Sequence, residues 1–135
     1  MNPISDLPSL LRSMTPVLNP GTFAFALIKP AQCIDPHIIL ASIKEAEGLS
    51  VVVSEGDAIK NQLDILFRCS WITLTVNSDL HAIGLTAAFS AALGNAGISC
   101  NVVAGACHDH IFVPVDKAND AIQTLQALQR NTERT

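Results

Sequence analysis

The sequence predicts an α+β fold built from two small modules, in which antiparallel sheets carry their helices on one face. The 135 residues are 49% hydrophobic and only 15% charged, a composition typical of a chain that buries a core. The spacing at which apolar residues recur switches between two and 3.6 residues along the chain, which indicates alternating strands and helices. We place the module boundary between residues 68 and 69, so that residues 1–68 form a divergent, incomplete N-terminal module and residues 69–135 a C-terminal one.

The C-terminal half shows five elements in a clear order. Apolar side chains alternate along residues 71–77, which is the period of a half-buried strand. A helix is expected from Ala82 to Ala96, followed by strands at 98–104 and 111–115 and by a last helix capped by Asp116. This βαββα order is one strand short of the six-element ferredoxin-like unit. We expect the N-terminal half to supply the missing strand, with residues 22–28 as the main candidate.

The N-terminal half gives a weaker pattern. Asp6 is placed to cap a short helix, and residues 22–28 form a strand rich in Phe and Leu. Asp35 followed by Pro36 has the composition of a helix start, and the predicted helix ends at Gly48. Its apolar side would consist of Ile38, Ile39, Ile43 and Ala46. A strand at 49–54, a turn at 55–57 and alternation at Leu63, Ile65 and Phe67 complete the half.

Charge and length exclude several partners. The net charge is −4, and the eight Lys and Arg residues are scattered, so we expect no binding to nucleic acid and none to anionic membrane surfaces. No apolar segment reaches the length of about 20 residues that spans a bilayer, and the N-terminus lacks the pattern of a secretory signal. We therefore expect a cytoplasmic protein, and a homodimer, because open sheet edges and a mean hydropathy of +0.37 favour pairing.

The loop from Asn77 to His81 leads from a strand straight into a predicted helix. The first backbone N–H groups of a helix have no intrahelical partner and attract negative charge, so an amino-acid carboxylate would suit this position. The other interpretation is that Ser78 or Asp79 caps the helix and that Gly84 allows close packing. Asp79 would also compete with an anionic ligand.

Histidine and cysteine residues near the predicted 105–109 turn suggest two weaker hypotheses. His108 and His110, with His81, could ligate a metal, and Asp109 could be a fourth ligand. Alternatively, Asp109 stabilises the turn by bonding to its own backbone. Cys107 beside His108 is a poor catalytic pair, because neighbouring residues on a strand face opposite ways. We assign no catalytic residue, metal or cofactor.

Three stretches resemble a bacterial family of small tandem ACT-domain proteins. They come after the strand Trp71 to Val76 and are residues 82–88 (AIGLTAA), 96–105 (AGISCNVVAG) and 108–114 (HDHIFVP). The same pattern is found in looser form in eukaryotic amino-acid sensors of the ACT type. The resemblance implies two ferredoxin-like βαββαβ modules that regulate by binding an amino acid or a similar small molecule.

The resemblance also implies a ligand site made by the loop after one strand and by a strand of an adjoining module. In this sequence these are Ser78, Asp79, Leu80, His81, Ala82, Ile83 and Gly84, together with Cys100, Asn101, Val102 and Val103. The amide of Asn101 could bind either end of an amino acid, or instead face solvent or an interface. We thus expect a regulatory amino-acid-binding protein without catalytic activity. The alternatives are a ligand-free protein–protein interaction module and, less favoured, a small metal-dependent enzyme that uses His81, His108 and His110.

Overall fold

The computed structural model describes residues 3–76 and 78–133 and divides the chain into two compact units. Residues 20–70 form the N-terminal unit, and residues 71–135 form the C-terminal unit together with the chain up to Asn19. The sequence placed the boundary at 68/69 and gave residues 1–19 to the N-terminal module. The structural division lies at 70/71 and groups those residues with the C-terminal unit.

The described residues form four α-helices, two short 3-10 helices and seven strands. The helices are α1 (Leu7–Ser13), α2 (Glu55–Lys60), α3 (Leu85–Asn95) and α4 (Ala118–Glu133). The strands are β1 (Pro16–Leu18), β2 (Phe23–Ile28), β3 (Ala41–Glu45), β4 (Gly48–Ser54), β5 (Phe67–Leu74), β6 (Asn101–Ala104) and β7 (Asp109–Pro114). None of these helices combines the length and the apolar character needed to cross a membrane.

The N-terminal unit has the strand order β3-β4-β2-β5, in which β5 contributes its first residues. The pairs β3–β4, β4–β2 and β2–β5 are all antiparallel. Its core is small. Alternate residues of β2 and β4 pack there against Ala58 of α2 and against Leu63. The residues that form it are Ala24, Ala26, Ile28, Val51, Val53, Ala58 and Leu63.

The C-terminal unit has the strand order β1-β5-β7-β6, in which β5 contributes its last residues. In a ferredoxin-like unit these positions belong to the fourth, first, third and second strands, and β1 takes the place of the fourth although it comes first along the chain. The expectation that another part of the chain completes this sheet is correct, but the predicted strand was wrong. Residues 16–18 pair with Ile72 to Leu74, while β2 belongs to the N-terminal unit.

The two helices predicted on one face of the C-terminal sheet, α3 and α4, pack there, and α1, which the sequence assigned to the N-terminal module, joins them. Leu10 of α1, Phe89 of α3 and Leu125 of α4 share one core with Ile72 and Ile111 of the strands, and all five are fully buried. Burial of side chains of this size stabilises by roughly 1.5–3 kcal/mol each. This core is larger than that of the N-terminal unit, and it fixes the start of α3 against the sheet.

The helix predicted between Asp35 and Gly48 does not form. Asp35 accepts a hydrogen bond from the backbone N–H of His37 at 2.9 Å, but only a single 3-10 turn, Pro36–Ile38, comes after it. Strand β3 then begins, and a two-residue turn joins it to β4, where Glu45 pairs with Gly48. A Cβ at Gly48 would lie 2.4 Å from the Ile28 carbonyl oxygen, so this glycine serves strand packing rather than helix termination.

Smaller differences concern the ends of elements. The turn predicted at 55–57 is the first turn of α2, because the Ser54 side chain accepts from the backbone N–H of Asp57 and caps the helix. Helix α3 begins at Leu85 rather than at Ala82, and β6 begins at Asn101 rather than at residue 98. Of the alternating residues Leu63, Ile65 and Phe67, which suggested a strand, only Phe67 lies in one, at the start of β5.

Candidate functional site

A cleft of about 160 Å³ opens in the C-terminal unit where the loop after β5 meets the start of α3. The end of β6 and the start of β7 complete its wall. The residues that line the cleft are Ser78, Asp79, Leu80, Ala82, Gly84, Leu85, Thr86, Ala104 and Asp109. The walls therefore combine small apolar groups with two carboxyl groups, and they carry no lysine, arginine or histidine among the described residues.

Asp79 is part of the internal structure of the loop. Its carboxylate accepts hydrogen bonds from the backbone N–H of His81 at 2.9 Å and from the Ser5 hydroxyl at 3.1 Å. Its own N–H donates to the carbonyl of Ile4, and its carbonyl accepts from the N–H of Ala82. The bond from His81 is the main reason that the pKa of Asp79 lies below its ordinary value. This carboxylate is ionised and already has partners.

Helix α3 starts without a side-chain cap. Its N-cap residue is Gly84, with φ +103°, and no side chain of the described residues caps the first turn with a hydrogen bond. The sequence left open whether Ser78 or Asp79 caps this helix, and neither does. The first-turn N–H groups, beside Leu85 and Thr86 on the cleft wall, thus keep the partial positive charge of a helix N-terminus.

Asp109 also lines the cleft, from the first position of β7. Only 8% of its surface is exposed, and no hydrogen-bond partner of its carboxyl group is found in the described part of the chain. Burial raises the pKa of Asp109, and the neighbouring His110 and His108 oppose that rise only partly. No fully buried side-chain oxygen or nitrogen among the described residues lacks a hydrogen-bond partner, so the carboxyl oxygens of Asp109 keep some access to the open cleft.

The structure separates the two predicted segments of the site. Of the loop residues, Ser78, Asp79, Leu80, Ala82 and Gly84 line the cleft. His81 and Ile83 are exposed and do not, and Asn77 lies outside the described residues.

None of the four residues predicted on β6 and just before it reaches the cleft wall. Cys100 and Val102 pack against the core, and the amide of the exposed Asn101 donates to the Phe112 carbonyl at 3.4 Å. Val103 is half-buried. The next residue, Ala104, does line the cleft.

Sequence reasoning missed Asp109 as a residue of this cleft, together with Ala104, Leu85 and Thr86. The signal was present, since Asp109 begins a strand inside the HDH pattern, but it was interpreted as a turn residue or as a fourth metal ligand. Only the pairing of Ala104 with Asp109 across β6 and β7 brings the pair beside the loop.

The three histidines do not form a metal centre. No group of three His, Cys, Asp or Glu side chains that could hold a metal ion occurs within residues 3–76 and 78–133. His110 Nδ1 accepts a hydrogen bond from Trp71 Nε1 at 3.0 Å, and His108 Nδ1 lies 3.2 Å from the Val76 carbonyl oxygen. His81 is exposed. Within the described residues, the three histidines are thus not gathered into a group that could hold a metal ion.

Family models for the ACT domain match residues 2–70 and residues 66–127. A solved structure of a protein of unknown function from Vibrio cholerae, described as a possible transport protein, is 41% identical, with a TM-score of 0.81; the match covers 90% of this chain and 94% of that one. A protein from Agrobacterium tumefaciens is 15% identical over 86% of this chain and 89% of its own, with a TM-score of 0.67.

The ligand-free regulatory subunit of aspartate kinase from Thermus thermophilus has the same fold, with a TM-score of 0.63 and 10% identity over 86% of this chain and 97% of that one. A search of curated proteins gives no match. The two family matches lie in tandem and cover most of the sequence. This chain belongs to the ACT-domain family and contains two ACT domains.

Proposed function

We propose that this ACT-domain protein is a regulatory module without catalytic activity and that it binds a free amino acid in the cleft at the start of α3. The observation that carries the proposal is the cleft itself. It lies where the loop after β5, the first strand of the C-terminal domain, meets the start of α3, which has no side-chain cap. The aspartate kinase regulatory subunits that share the fold support the regulatory part.

The chemistry of the wall fits the carboxylate end of an amino acid. The first-turn N–H groups of α3 are hydrogen-bond donors without a side-chain acceptor, and the helix dipole adds positive potential where they lie. Leu80, Ala82 and Ala104 offer apolar contact for a short side chain. The volume of about 160 Å³ restricts the site to a small ligand.

The same wall gives no reason to propose a reaction. Ser78 and Thr86 contribute hydroxyl groups, but neither histidine nor lysine lines the cleft among the described residues to act as a base. The Asp79 carboxylate is already bonded to Ser5 and to the His81 backbone. Binding that alters the state of a partner protein is therefore favoured over turnover.

A thermal-shift screen against the twenty amino acids at millimolar concentration tests the proposal. A ligand that binds only the folded chain raises Tm by mass action, by an amount that grows with concentration. Ala104→Leu extends a side chain into the cleft from an exposed position on β6 and should abolish the shift. Ala91→Leu makes the same change on the exposed side of α3, away from the cleft, and should retain it.

Equal shifts for the two variants would place binding elsewhere. If no amino acid shifts the wild-type protein, the ligand-free interaction module becomes the better explanation.

We also propose a homodimer in the cytoplasm. β3 is an outer strand of the N-terminal unit and β6 of the C-terminal unit, and Ile43 on β3 is 66% exposed. Open edges with exposed apolar side chains favour pairing with a second copy. All four cysteines are unpaired, as the reducing cytoplasm would keep them. Light scattering should give twice the chain mass at micromolar concentration, and a single monomeric species would contradict the dimer.

A further inference from the structure

We propose that Asp109 binds the ammonium group of the ligand and that the cleft therefore selects small amino acids with one carboxylate and excludes aspartate and glutamate. This inference rests on the proposed function, because it identifies the class of ligand that the same cleft accepts. It starts from a difference between the two carboxyl groups on the cleft wall.

The two carboxyl groups differ in the hydrogen bonds that they already accept. The Asp79 carboxylate holds the loop together through Ser5 and the His81 backbone, and its bonds keep it ionised. Asp109 is 8% exposed, lies on the cleft wall, and has no hydrogen-bond partner for its carboxyl group in the described ranges 3–76 and 78–133. Asp109 is therefore the carboxyl group that is available to a ligand.

The titratable side chains near Asp109 make no hydrogen bond to its carboxyl group within the described residues. His108 and His110 are the titratable neighbours that act on it. His110 is held neutral, because the indole N–H of Trp71 is only a donor and requires an unprotonated Nδ1. Burial also lowers the pKa of His110, so it carries little charge at neutral pH. His108 Nδ1 faces the Val76 carbonyl instead.

An incoming ammonium group would supply the partner that Asp109 lacks. The Asp109 carboxyl group is largely shielded from water yet open to the cleft, and a charge-assisted hydrogen bond to an ammonium group is among the stronger polar contacts. The N–H groups at the start of α3, on the wall formed by Leu85 and Thr86, would take the single carboxylate of the same ligand. The cleft thus offers one negative and one positive partner to a small zwitterion.

A second carboxylate on the ligand would have no such partner. No basic side chain lines the cleft in the described part of the chain, and the ionised Asp79 would repel an added negative charge. A buried anion without a counter-charge loses its hydration and gains nothing in return. Aspartate and glutamate should therefore bind more weakly than asparagine and glutamine, which have nearly the same shape.

Isothermal titration calorimetry on the full chain at pH 7.5 tests the inference. All twenty amino acids are titrated first. For each amino acid that binds, the carboxylic acid with the same side chain but no amino group is then titrated as a control. We expect at least one monocarboxylic amino acid to bind, and the amino-free acid, aspartate and glutamate to bind at least tenfold more weakly. Asp109→Asn keeps the shape and removes the charge, and it should weaken binding at least tenfold. Asp64→Asn makes the same change at an exposed position of the N-terminal unit and should leave affinity unchanged.

The pH dependence of wild-type affinity gives a second measurement in case Asp109→Asn does not fold. Burial raises the pKa of Asp109, so its proton returns at a higher pH than that of the other carboxyl group in the cleft, and affinity should fall as the pH drops through that pKa. An affinity that does not change with pH would overturn the role of Asp109.

The outcomes separate this inference from the proposed function. Suppose that an amino acid binds, but that Asp109→Asn binds it equally well or that aspartate binds as tightly as asparagine. Asp109 then does not bind the ammonium group, while the proposed function stands. If no amino acid binds the wild-type chain, both are wrong.

Discussion

The two units order their strands in the same way but differ in the segment that connects the first strand of each to the second. In the C-terminal unit, β5 leads through the loop 78–84 into the eleven-residue helix α3. In the N-terminal unit, β2 leads into a 3-10 turn, Pro36–Ile38, and then directly into β3. The cleft depends on a helix start and not on the strand order alone. Ligand binding is therefore expected in the C-terminal unit.

The difference can be traced to how each connecting segment is buried. Leu85, Phe89 and Leu93 recur at helical spacing along α3 and are at most 4% exposed. In the N-terminal unit, Ile38 and Ile39 are only partly buried against its core. A short turn is sufficient to cover those strands, and the unit gains no helix N-terminus at that point.

Truncating a central side chain in the segment between the first and second strands should lower the free energy of unfolding by different amounts in the two units. Phe89 is completely buried, so Phe89→Ala should cost about 3–5 kcal/mol through lost burial and a cavity. Ile38→Ala removes a partly buried side chain and should cost less than about 2 kcal/mol. Urea denaturation monitored by circular dichroism measures both changes. Equal losses would show that the turn in the N-terminal unit supports its core as strongly as α3 does.

Sequence patterns predicted the C-terminal unit better than the N-terminal one for a physical reason. Strand β5 and helix α3 each bury one face, so their periods of two and 3.6 residues are visible in the sequence. The segment from Asp35 to Gly48 has a cap, a proline and isoleucines that also fit a helix. Pairing with β4 decides its structure instead, and such a tertiary preference leaves no local signal.

The candidate site was predictable only where it is local. The loop from Ser78 to Gly84 is continuous in sequence, and five of its residues line the cleft. Asp109 reaches the same cleft from a position 25 residues beyond Gly84, through the pairing of β7 with β6. Its burial and its lack of a hydrogen-bond partner are properties of the folded unit, which no spacing rule shows.

Gly84 offers a smaller test of the same comparison, because it sets where α3 begins. With φ +103°, an alanine there adopts a strained conformation, and its Cβ would lie 2.9 Å from Leu7 Cδ2. Leu7 is flexible and can move, so Gly84→Ala should cost about 1–2 kcal/mol, mainly from the backbone. Gly94→Ala, with nothing within 4 Å of the new Cβ, should stabilise α3 by up to about 1 kcal/mol.

Thermal denaturation of both variants, with amino-acid affinity measured alongside, shows whether the start of α3 links stability to binding. We expect Gly84→Ala to lose both, because a shifted first turn moves the free N–H groups away from the wall formed by Leu85 and Thr86. Gly94→Ala lies at the far end of the helix and should keep its affinity. A Gly84→Ala protein that is less stable yet binds as well as wild type would mean that the helix start serves folding alone, and the two units would then differ in structure but not in function.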